Sequence, residues 1–344
     1  MNPLRNVRSL AALALLAALL TPVLALAADD ADARFESGAW GTELKLGVNL
    51  LQSYYTKNWN GGDKGAVVWT STLDGLAKKK LSDDFQLSNT LHLAFGQNHQ
   101  QDRDAAGKLV WRRPDKSTDE ISFESLLRYM KTELDPFFSV RFESQFIDQT
   151  DPNREFNLNP LQFYETAGIS RTLVKEDDRE WLARLGFTLH QSKRKLYLPA
   201  TDAEVSESTN DGGLELIFDY KSKYLAGKVD YVGELRLYKP LFYSGKSDIE
   251  DLDPAVLAAA GLDADLADYT TTADIDFKNT FTTNITSALN VQVMVRWVYD
   301  KYDTTVPAVI DDAGNLENAA AVAGAVRKSG QFKQTMSIGL AHTF

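Results

Sequence analysis

Apolar and polar residues alternate along most of the chain after residue 41 with a period of two, which is typical of β-strands that have one apolar face. In residues 287–300, for example, Val293 and Trp297 lie on one face and Gln292 and Arg296 on the other. Each alternating segment is long enough for a tilted strand to cross a bilayer. The pattern predicts about twelve strands, at residues 42–54, 66–77, 85–97, 119–132, 137–148, 165–174, 180–192, 213–222, 227–238, 270–283, 287–300 and 331–344.

The connections between these segments alternate in length. Short turns follow every second segment, and long loops follow the others, at about 55–65, 98–118, 149–164, 193–212, 239–269 and 301–330. Outer-membrane β-barrels have this asymmetry, with short periplasmic turns and long external loops. We therefore expect an all-β, antiparallel transmembrane β-barrel at residues 42–344, preceded by a periplasmic segment at 28–41. A secreted sandwich or a ligand-binding barrel is the alternative.

The last strand carries a second indication of an outer-membrane barrel. Ile338, Leu340 and the terminal Phe344 lie on its apolar face, as in closing strands of bacterial outer-membrane barrels. We expect these residues to form the signal that the barrel-assembly machinery reads after periplasmic chaperones deliver the chain. Outer-membrane lipid would then cover the outer wall.

The first residues predict export. Arg5 and Arg8 precede an apolar run from Leu10 to Leu20, and Ala25-Leu26-Ala27 forms a small-residue cleavage site. We interpret residues 1–27 as a cleaved signal peptide, because the apolar run is too short for the alternative, a spanning helical anchor. The expected location is the bacterial outer membrane.

Charge and composition exclude other classes of protein. Loss of the signal peptide would remove two of the 37 basic residues and none of the 48 acidic ones, which leaves a formal charge of −13. Nucleic acid is an unfavourable partner for such a chain. No later stretch has 18 consecutive apolar residues, so helical membrane spans are not expected.

Several short motifs resemble a family of predicted outer-membrane β-barrel proteins catalogued as a domain of unknown function. Asn58-Trp59-Asn60-Gly61-Gly62 resembles the family's Asn-Trp-x-x-Gly-Gly opening, and Leu91 to Gly96 resembles its Leu-x-Leu-Ala-Tyr-Gly hairpin, with Phe95 in place of Tyr. Gln331-Phe332-Lys333-Gln334, leading to Phe344, resembles the closing strand. The resemblance implies the barrel fold but no activity.

Charged residues of both signs fall on the inward face of the predicted strands. They are Glu124, Arg128, Arg141, Glu143, Arg184, Glu215, Asp219, Asp230, Glu234, Arg236, Asp274, Asp276, Lys278 and Arg296. One interpretation is a water-filled path whose charges control the passage of small solutes. The other is an interior filled by ion pairs, as in small barrels. The sequence leaves both open.

Enzymatic and metal-binding motifs are weak. His190 lies near the external rim, with Asp202 in the following loop, but no known catalytic spacing surrounds either residue. The carboxylates of the fifth loop have no EF-hand spacing. Alanine-rich residues 253–267 and 316–327 predict short helices in the last two long loops. These helices either fold over the mouth of the barrel and constrict it, or lie at its rim without a role in constriction.

The sequence thus predicts a barrel without enzymatic activity, cofactor or metal. Our preferred hypothesis is a narrow channel for small polar or ionic solutes. A closed structural or surface-interaction barrel that works through its external loops is the alternative, and an embedded hydrolase is a third hypothesis.

Overall fold

A computed structural model describes residues 38–53, 64–151, 154–286 and 289–343. The proposed signal peptide, the Asn58 to Gly62 motif and the terminal Phe344 lie outside the described residues.

Twelve long antiparallel strands form the wall of the molecule. They are β1 (Gly41–Ser53), β2 (Ala66–Lys80), β3 (Phe85–Arg103), β5 (Asp115–Tyr129), β6 (Asp135–Ser144), β9 (Leu161–Glu176), β10 (Arg179–Leu198), β11 (Ala203–Tyr224), β12 (Val229–Tyr243), β13 (Asp274–Asn284), β14 (Leu289–Tyr299) and β15 (Gln331–Thr343). Three short strands lie in loops: β4 (Leu109–Trp111), β7 (Ile147–Asp148) and β8 (Phe156–Asn157). The predicted fold class and strand number are confirmed.

Each wall strand pairs with its neighbour along the chain, and the first strand pairs with the last. The β1–β2 ladder runs from Gly41 opposite Lys78 to Ser53 opposite Ala66. The β1–β15 ladder that closes the ring is shorter and runs from Lys45 opposite Thr343 to Asn49 opposite Gly339. The sheet is therefore a closed barrel without a free edge in its wall.

The outer surface is apolar and the interior is polar. Large apolar side chains remain exposed on the outside in every part of the ring, among them Leu50, Phe123, Phe187, Leu214, Phe277, Met336, Ile338 and Leu340. The buried residues of the strands include charged and polar ones such as Arg141, Arg184, Thr188 and Glu215. This arrangement is the reverse of a water-soluble core and suits a barrel surrounded by lipid.

The predicted loop at residues 193–212 is wrong. Strands β10 and β11 instead continue as a paired ladder to Leu198 opposite Ala203. Residues 204–210 are mostly polar or acidic on both faces, so hydrophobic alternation gives no signal there. A strand that projects beyond lipid needs no apolar outer face.

The last two long loops fold together at one end of the barrel. Loop five (residues 244–273) contains α1 (Lys246–Glu250), α2 (Pro254–Ala259) and α3 (Leu266–Tyr269), and loop six (residues 300–330) contains α4 (Ala319–Ala325). The predicted loop helices are confirmed, although they are shorter and more numerous than expected. None of the helices in the described part of the chain is long and apolar enough to cross a membrane.

The two loops share a hydrophobic core. Leu266 and Val322 are completely buried, and Ile249, Leu257 and Tyr302 pack in the same cluster. These contacts join residues that lie far apart in sequence. Loops five and six therefore form one packed unit, which we call the cap.

Candidate functional site: the charged interior

A network of ion pairs occupies the middle of the barrel. Strands β6, β11 and β12 place Arg141, Glu215 and Arg236 on their inward faces. Glu215 Oε1 lies 3.3 Å from Arg141 Nη1 and 3.6 Å from Arg236 Nε. Glu143 joins the two arginines, at 2.9 Å from Arg141 Nε and 3.5 Å from Arg236 Nη1. Arg236 Nη2 also donates to Glu234 at 3.2 Å.

Neutral groups complete the surroundings of Glu215. The hydroxyl groups of Thr188 and Thr166 donate to its Oε2 at 2.9 and 3.2 Å. The guanidinium carbon of Arg141 lies 4.1 Å from the centre of the Tyr164 ring. Because a buried carboxylate needs such compensation, Glu215 is held by two cations and two hydroxyl groups.

A further arginine of the interior, Arg184, joins three strands. Arg184 on β10 donates to Glu124 on β5 at 2.6 Å and to Asp219 on β11 at 3.1 Å. Since β5 and β10 are not neighbours in the ring, the Arg184–Glu124 pair crosses the interior. The barrel is therefore narrow at this level.

One ion pair joins strands on opposite sides of the ring. Lys278 Nζ on β13 lies 3.8 Å from Glu120 Oε1 on β5, and these two strands are diametrically opposite in the strand order. On the β13 side, Arg296 binds Asp276 through two hydrogen bonds of 2.9 and 2.6 Å. Two side chains are thus enough to span the interior.

The structure brings most of the predicted interior residues together. They form two neighbouring ion-pair clusters, which we together call the central network: Arg141, Glu143, Glu215, Glu234 and Arg236 in one, and Glu124, Arg184 and Asp219 in the other. Asp276, Lys278 and Arg296 lie on the opposite side.

Three predicted residues lie apart from that network. Arg128 pairs instead with Asp135 at 2.7 Å, close to the turn between β5 and β6. Asp230 on β12 lies opposite Thr282 of β13, and Asp274 on β13 lies opposite Tyr238 of β12. Both aspartates have inward positions, and they lie near opposite ends of the ladder between the two strands.

Sequence reasoning missed several members of the interior. Glu120 shares the inward face of β5 with Glu124, so the same periodicity could have found it. Asp74 on β2 was also missed. It lies opposite His92 on β3, which the sequence does predict as a polar residue of the lumen, with 2.5 Å between Asp74 Oδ1 and His92 Nδ1. Thr166 and Thr188 gave no signal, because a threonine in a strand is common on either face.

The interior is packed unevenly. Arg141, Arg184, Glu215 and Thr188 are buried on the side formed by β6 to β11. Asp74, His92, Glu120, Lys278 and Arg296 keep a substantial part of their side chains accessible on the other side. Lys333 on β15 is exposed on its inward face, and its ammonium group donates to Thr118 at 3.4 Å. On the side of the network, Glu143 and Glu234 are accessible to a similar degree. Water therefore reaches the lumen between a buried cluster on one wall and more open charges around it.

His190 and Asp202, the pair considered for a catalytic site, do not contact each other through any of the hydrogen bonds described for them. His190 Nδ1 lies 2.7 Å from Asp211 Oδ2, and its ring stacks on Tyr164 with 4.2 Å between centroids. Asp202 instead accepts from Tyr197 at the tip of the projecting hairpin. The reason is the long β10–β11 ladder, in which His190 and Asp211 are directly opposite.

Arg194 on β10 binds both the cap and the loop between β6 and β9. Its Nη2 donates to Asp148 at 3.2 Å and to Thr150 at 3.1 Å, in the loop between β6 and β9. Its Nη1 donates to Thr305 of loop six at 2.8 Å and lies 3.8 Å from Asp303. One buried side chain thus holds two loops at the mouth of the barrel.

Burial and neighbouring charges shift two carboxyl groups at the base of loop six. Burial and the nearby Asp303 raise the pKa of Asp300 to about 6, against the opposing effect of Arg327. Burial also acts to raise the pKa of Asp303, but Arg194, Arg327 and the hydrogen bonds of Thr305 outweigh it and hold that pKa below its usual value. The pKa values of two neighbouring carboxyl groups in the cap are therefore shifted in opposite directions.

Within the described ranges, no three His, Asp or Glu side chains converge in a way that could hold a metal ion.

Comparison with solved structures finds bacterial barrels of low identity. An outer membrane channel from Pseudomonas putida F1 is 11% identical, with a TM-score of 0.37 over 89% of this chain and 96% of that chain. The translocator domain of the autotransporter NalP from Neisseria meningitidis is 10% identical, with a TM-score of 0.34 over 91% of this chain and 94% of that chain. OprB from Pseudomonas putida is 9% identical, with a TM-score of 0.26 over 91% and 95% of the two chains. No curated protein matches the chain.

A family comparison tests the predicted resemblance. The matching model covers residues 50–149, which include β2 to β6 and the Leu91 to Gly96 hairpin motif. Over this part of the chain, the protein matches the family described as "Protein of unknown function (DUF3078)". The predicted resemblance to a family catalogued as a domain of unknown function is confirmed.

Proposed function

We propose that the protein is a narrow channel of the bacterial outer membrane for small polar or ionic solutes. The observation that carries this proposal is the uneven interior. Arg141, Arg184 and Glu215 are packed and buried, whereas other charged side chains around the lumen, among them Glu234, Glu120 and Lys278, remain accessible to water. An interior that served only to fill the barrel would bury its charges on all sides.

The outer wall supports the membrane location. Leu185, Phe187, Leu214 and Phe277 are exposed apolar residues on neighbouring strands, and lipid would remove their surface from water. The apolar closing strand and the predicted signal peptide agree with export and assembly by the barrel machinery. We propose no enzymatic activity, since the sequence shows no catalytic motif around its histidines.

Conductance across a planar bilayer tests the proposal. The mature chain would be refolded into lipid, and Glu120→Ala and Lys278→Ala would each remove one half of the bridge that spans the interior. We expect discrete conductance steps that become larger in both variants. Glu133→Ala, in the short turn between β5 and β6, is the control and should leave conductance unchanged. A folded barrel without conductance would refute the channel.

The cap favours a second function, that of a surface-interaction barrel. Loops five and six have a hydrophobic core of their own, with Leu266 and Val322 fully buried, so they present a defined surface rather than a mobile one. This candidate gains support if the folded barrel does not conduct and replacement of the cap leaves barrel stability unchanged.

A further inference from the structure

The two signs of charge in the central network differ in their access to water. The side chains of Arg184, Arg141 and Arg236 are 4%, 6% and 18% exposed. Three of their five carboxylate partners are more accessible: Asp219 is 28% exposed, Glu143 30% and Glu234 37%. The other two, Glu215 and Glu124, are 3% and 17% exposed. On this wall, the most accessible charges are therefore carboxylates, and the arginines lie deeper.

The network also has unequal numbers of charges. Three guanidinium groups, those of Arg141, Arg184 and Arg236, face five carboxylates: Glu124, Glu143, Glu215, Asp219 and Glu234. The formal charge of this group of side chains is therefore −2.

The opposite wall compensates this charge only in part. Arg296 is matched by Asp276, and Lys278 by Glu120, with one carboxylate for each cation. Asp74 lies opposite Lys45 in the register of β1 and β2. Lys333 adds one positive charge on the exposed inward face of β15. These side chains together keep a formal charge of −1. On this second wall, cations and carboxylates are similarly accessible, so the carboxylate excess lies on the wall of the central network.

We propose that the lumen selects small cations over anions, with Glu234 and Glu143 as the main selectivity residues. This inference rests on the proposed channel function. At the wall of the central network, a permeating cation contacts the accessible oxygens of Glu143, Asp219 and Glu234, whereas an anion meets these oxygens before the more deeply buried guanidinium groups. Because the lumen is narrow and its wall has a low dielectric constant, the field of these carboxylates is weakly screened.

Reversal potentials across a planar bilayer test the inference. The refolded full-length mature barrel would separate two KCl solutions of unequal concentration, and the sign of the zero-current potential gives the ratio of K⁺ to Cl⁻ permeability. We expect a ratio above one in the unmodified protein. Glu234→Gln should lower the ratio toward one, because it removes an accessible charge while it preserves the shape of the side chain.

Matched variants distinguish a lumen effect from an effect of net charge. Glu165→Gln makes the same chemical change on the outward face of β9, opposite Val140 of β6, and should leave the ratio unchanged. Asp74→Asn provides a second lumen variant if Glu234→Gln does not fold, and folding is read from the heat-dependent shift of the band on a gel.

Each outcome has a defined meaning. Conductance with a ratio at or below one, or equal effects of Glu234→Gln and Glu165→Gln, would overturn cation selectivity and leave the channel intact. A folded barrel without conductance would overturn the channel and the selectivity together.

Discussion

Arginine carries most of the positive charge inside the barrel because a planar guanidinium group can bind several carboxylates at once. Arg184 binds Glu124 and Asp219, which lie on two other strands. Such a side chain joins strands that share no backbone hydrogen bonds. The network therefore contributes to the shape of the lumen as well as to its charge, and the loss of one member should affect both.

Glu215 provides the sharpest test of that network. Glu215→Gln would remove the more deeply buried of the two carboxylates that both Arg141 and Arg236 contact. Removal of one partner from a buried pair costs about 3–5 kcal/mol, and we expect a loss of unfolding free energy of that order. Guanidinium-induced unfolding of the barrel in lipid vesicles would measure it.

The control for Glu215→Gln is Asp74→Asn, which removes a half-exposed carboxylate from the accessible side of the lumen. Exposed pairs contribute little, so its expected cost is below about 1 kcal/mol. Equal effects of the two substitutions would show that burial of the network does not determine its contribution.

Asp300 predicts a pH dependence in loop six. Its pKa is raised to about 6, so between about pH 4 and 6 the folded loop holds a proton that the unfolded chain releases. Stability of the loop therefore falls as pH rises through this window and stays reduced above it. Asp300→Asn should increase hydrogen-exchange protection of residues 300–330 at neutral pH, with no difference near pH 4.

Asp312→Asn is the control for this effect, because it makes the same change at an exposed position of the same loop. Its protection should match the unmodified protein at both pH values. Reduced protection in Asp300→Asn at neutral pH would mean that the ionised Asp300–Arg327 pair stabilises the loop instead.

At the scale of elements, the strands beyond the predicted membrane span determine the mouth of the barrel. The continued β10–β11 ladder carries Arg194, and this residue lies where it can reach the loop after β6 and loop six simultaneously. The cap is thereby fixed to a rigid hairpin rather than to a flexible loop. Its position depends on a small number of polar contacts and on its own hydrophobic core.

Arg194→Ala should release the cap from the wall. The substitution removes the hydrogen bonds to Asp148, Thr150 and Thr305 and leaves two carboxylates without that cation. We expect faster hydrogen exchange in residues 300–330 and a larger fraction of time in the conducting state. Cap core residues such as Leu266 should keep their packing, since none of them contacts Arg194 through these bonds.

Lys195→Ala is the matched control because the neighbouring lysine lies on the opposite, outward face of β10. It should change neither exchange nor conductance. Unchanged exchange in Arg194→Ala would show that the hydrophobic core alone positions the cap.

At the scale of the whole molecule, hydrophobic periodicity predicted the ring but not its interior contacts. The alternation of Val293 and Trp297 with Gln292 and Arg296 identified β14, because lipid and water face opposite sides of one strand. The Lys278–Glu120 bridge could not be predicted in this way, since it depends on which strands are opposite after closure. The partners of Arg194 were missed because they lie in two other loops, 46 and 111 residues away in sequence for Asp148 and Thr305.

The closing ladder between β1 and β15 provides the last prediction, which concerns the barrel as a whole. Val48 lies opposite Leu340 across this ladder, and the natural chain contains no cysteine that could interfere. In Val48→Cys/Leu340→Cys, oxidation should form a disulfide and raise resistance to guanidinium, because opposite positions of paired strands lie within bridging distance. In Val48→Cys/Ile338→Cys, one cysteine is displaced by two residues along β15. The two Cα atoms then lie farther apart than in most disulfides, so this pair should bridge poorly. Efficient bridging of the displaced pair, or none in the first pair, would contradict the register that closes the barrel.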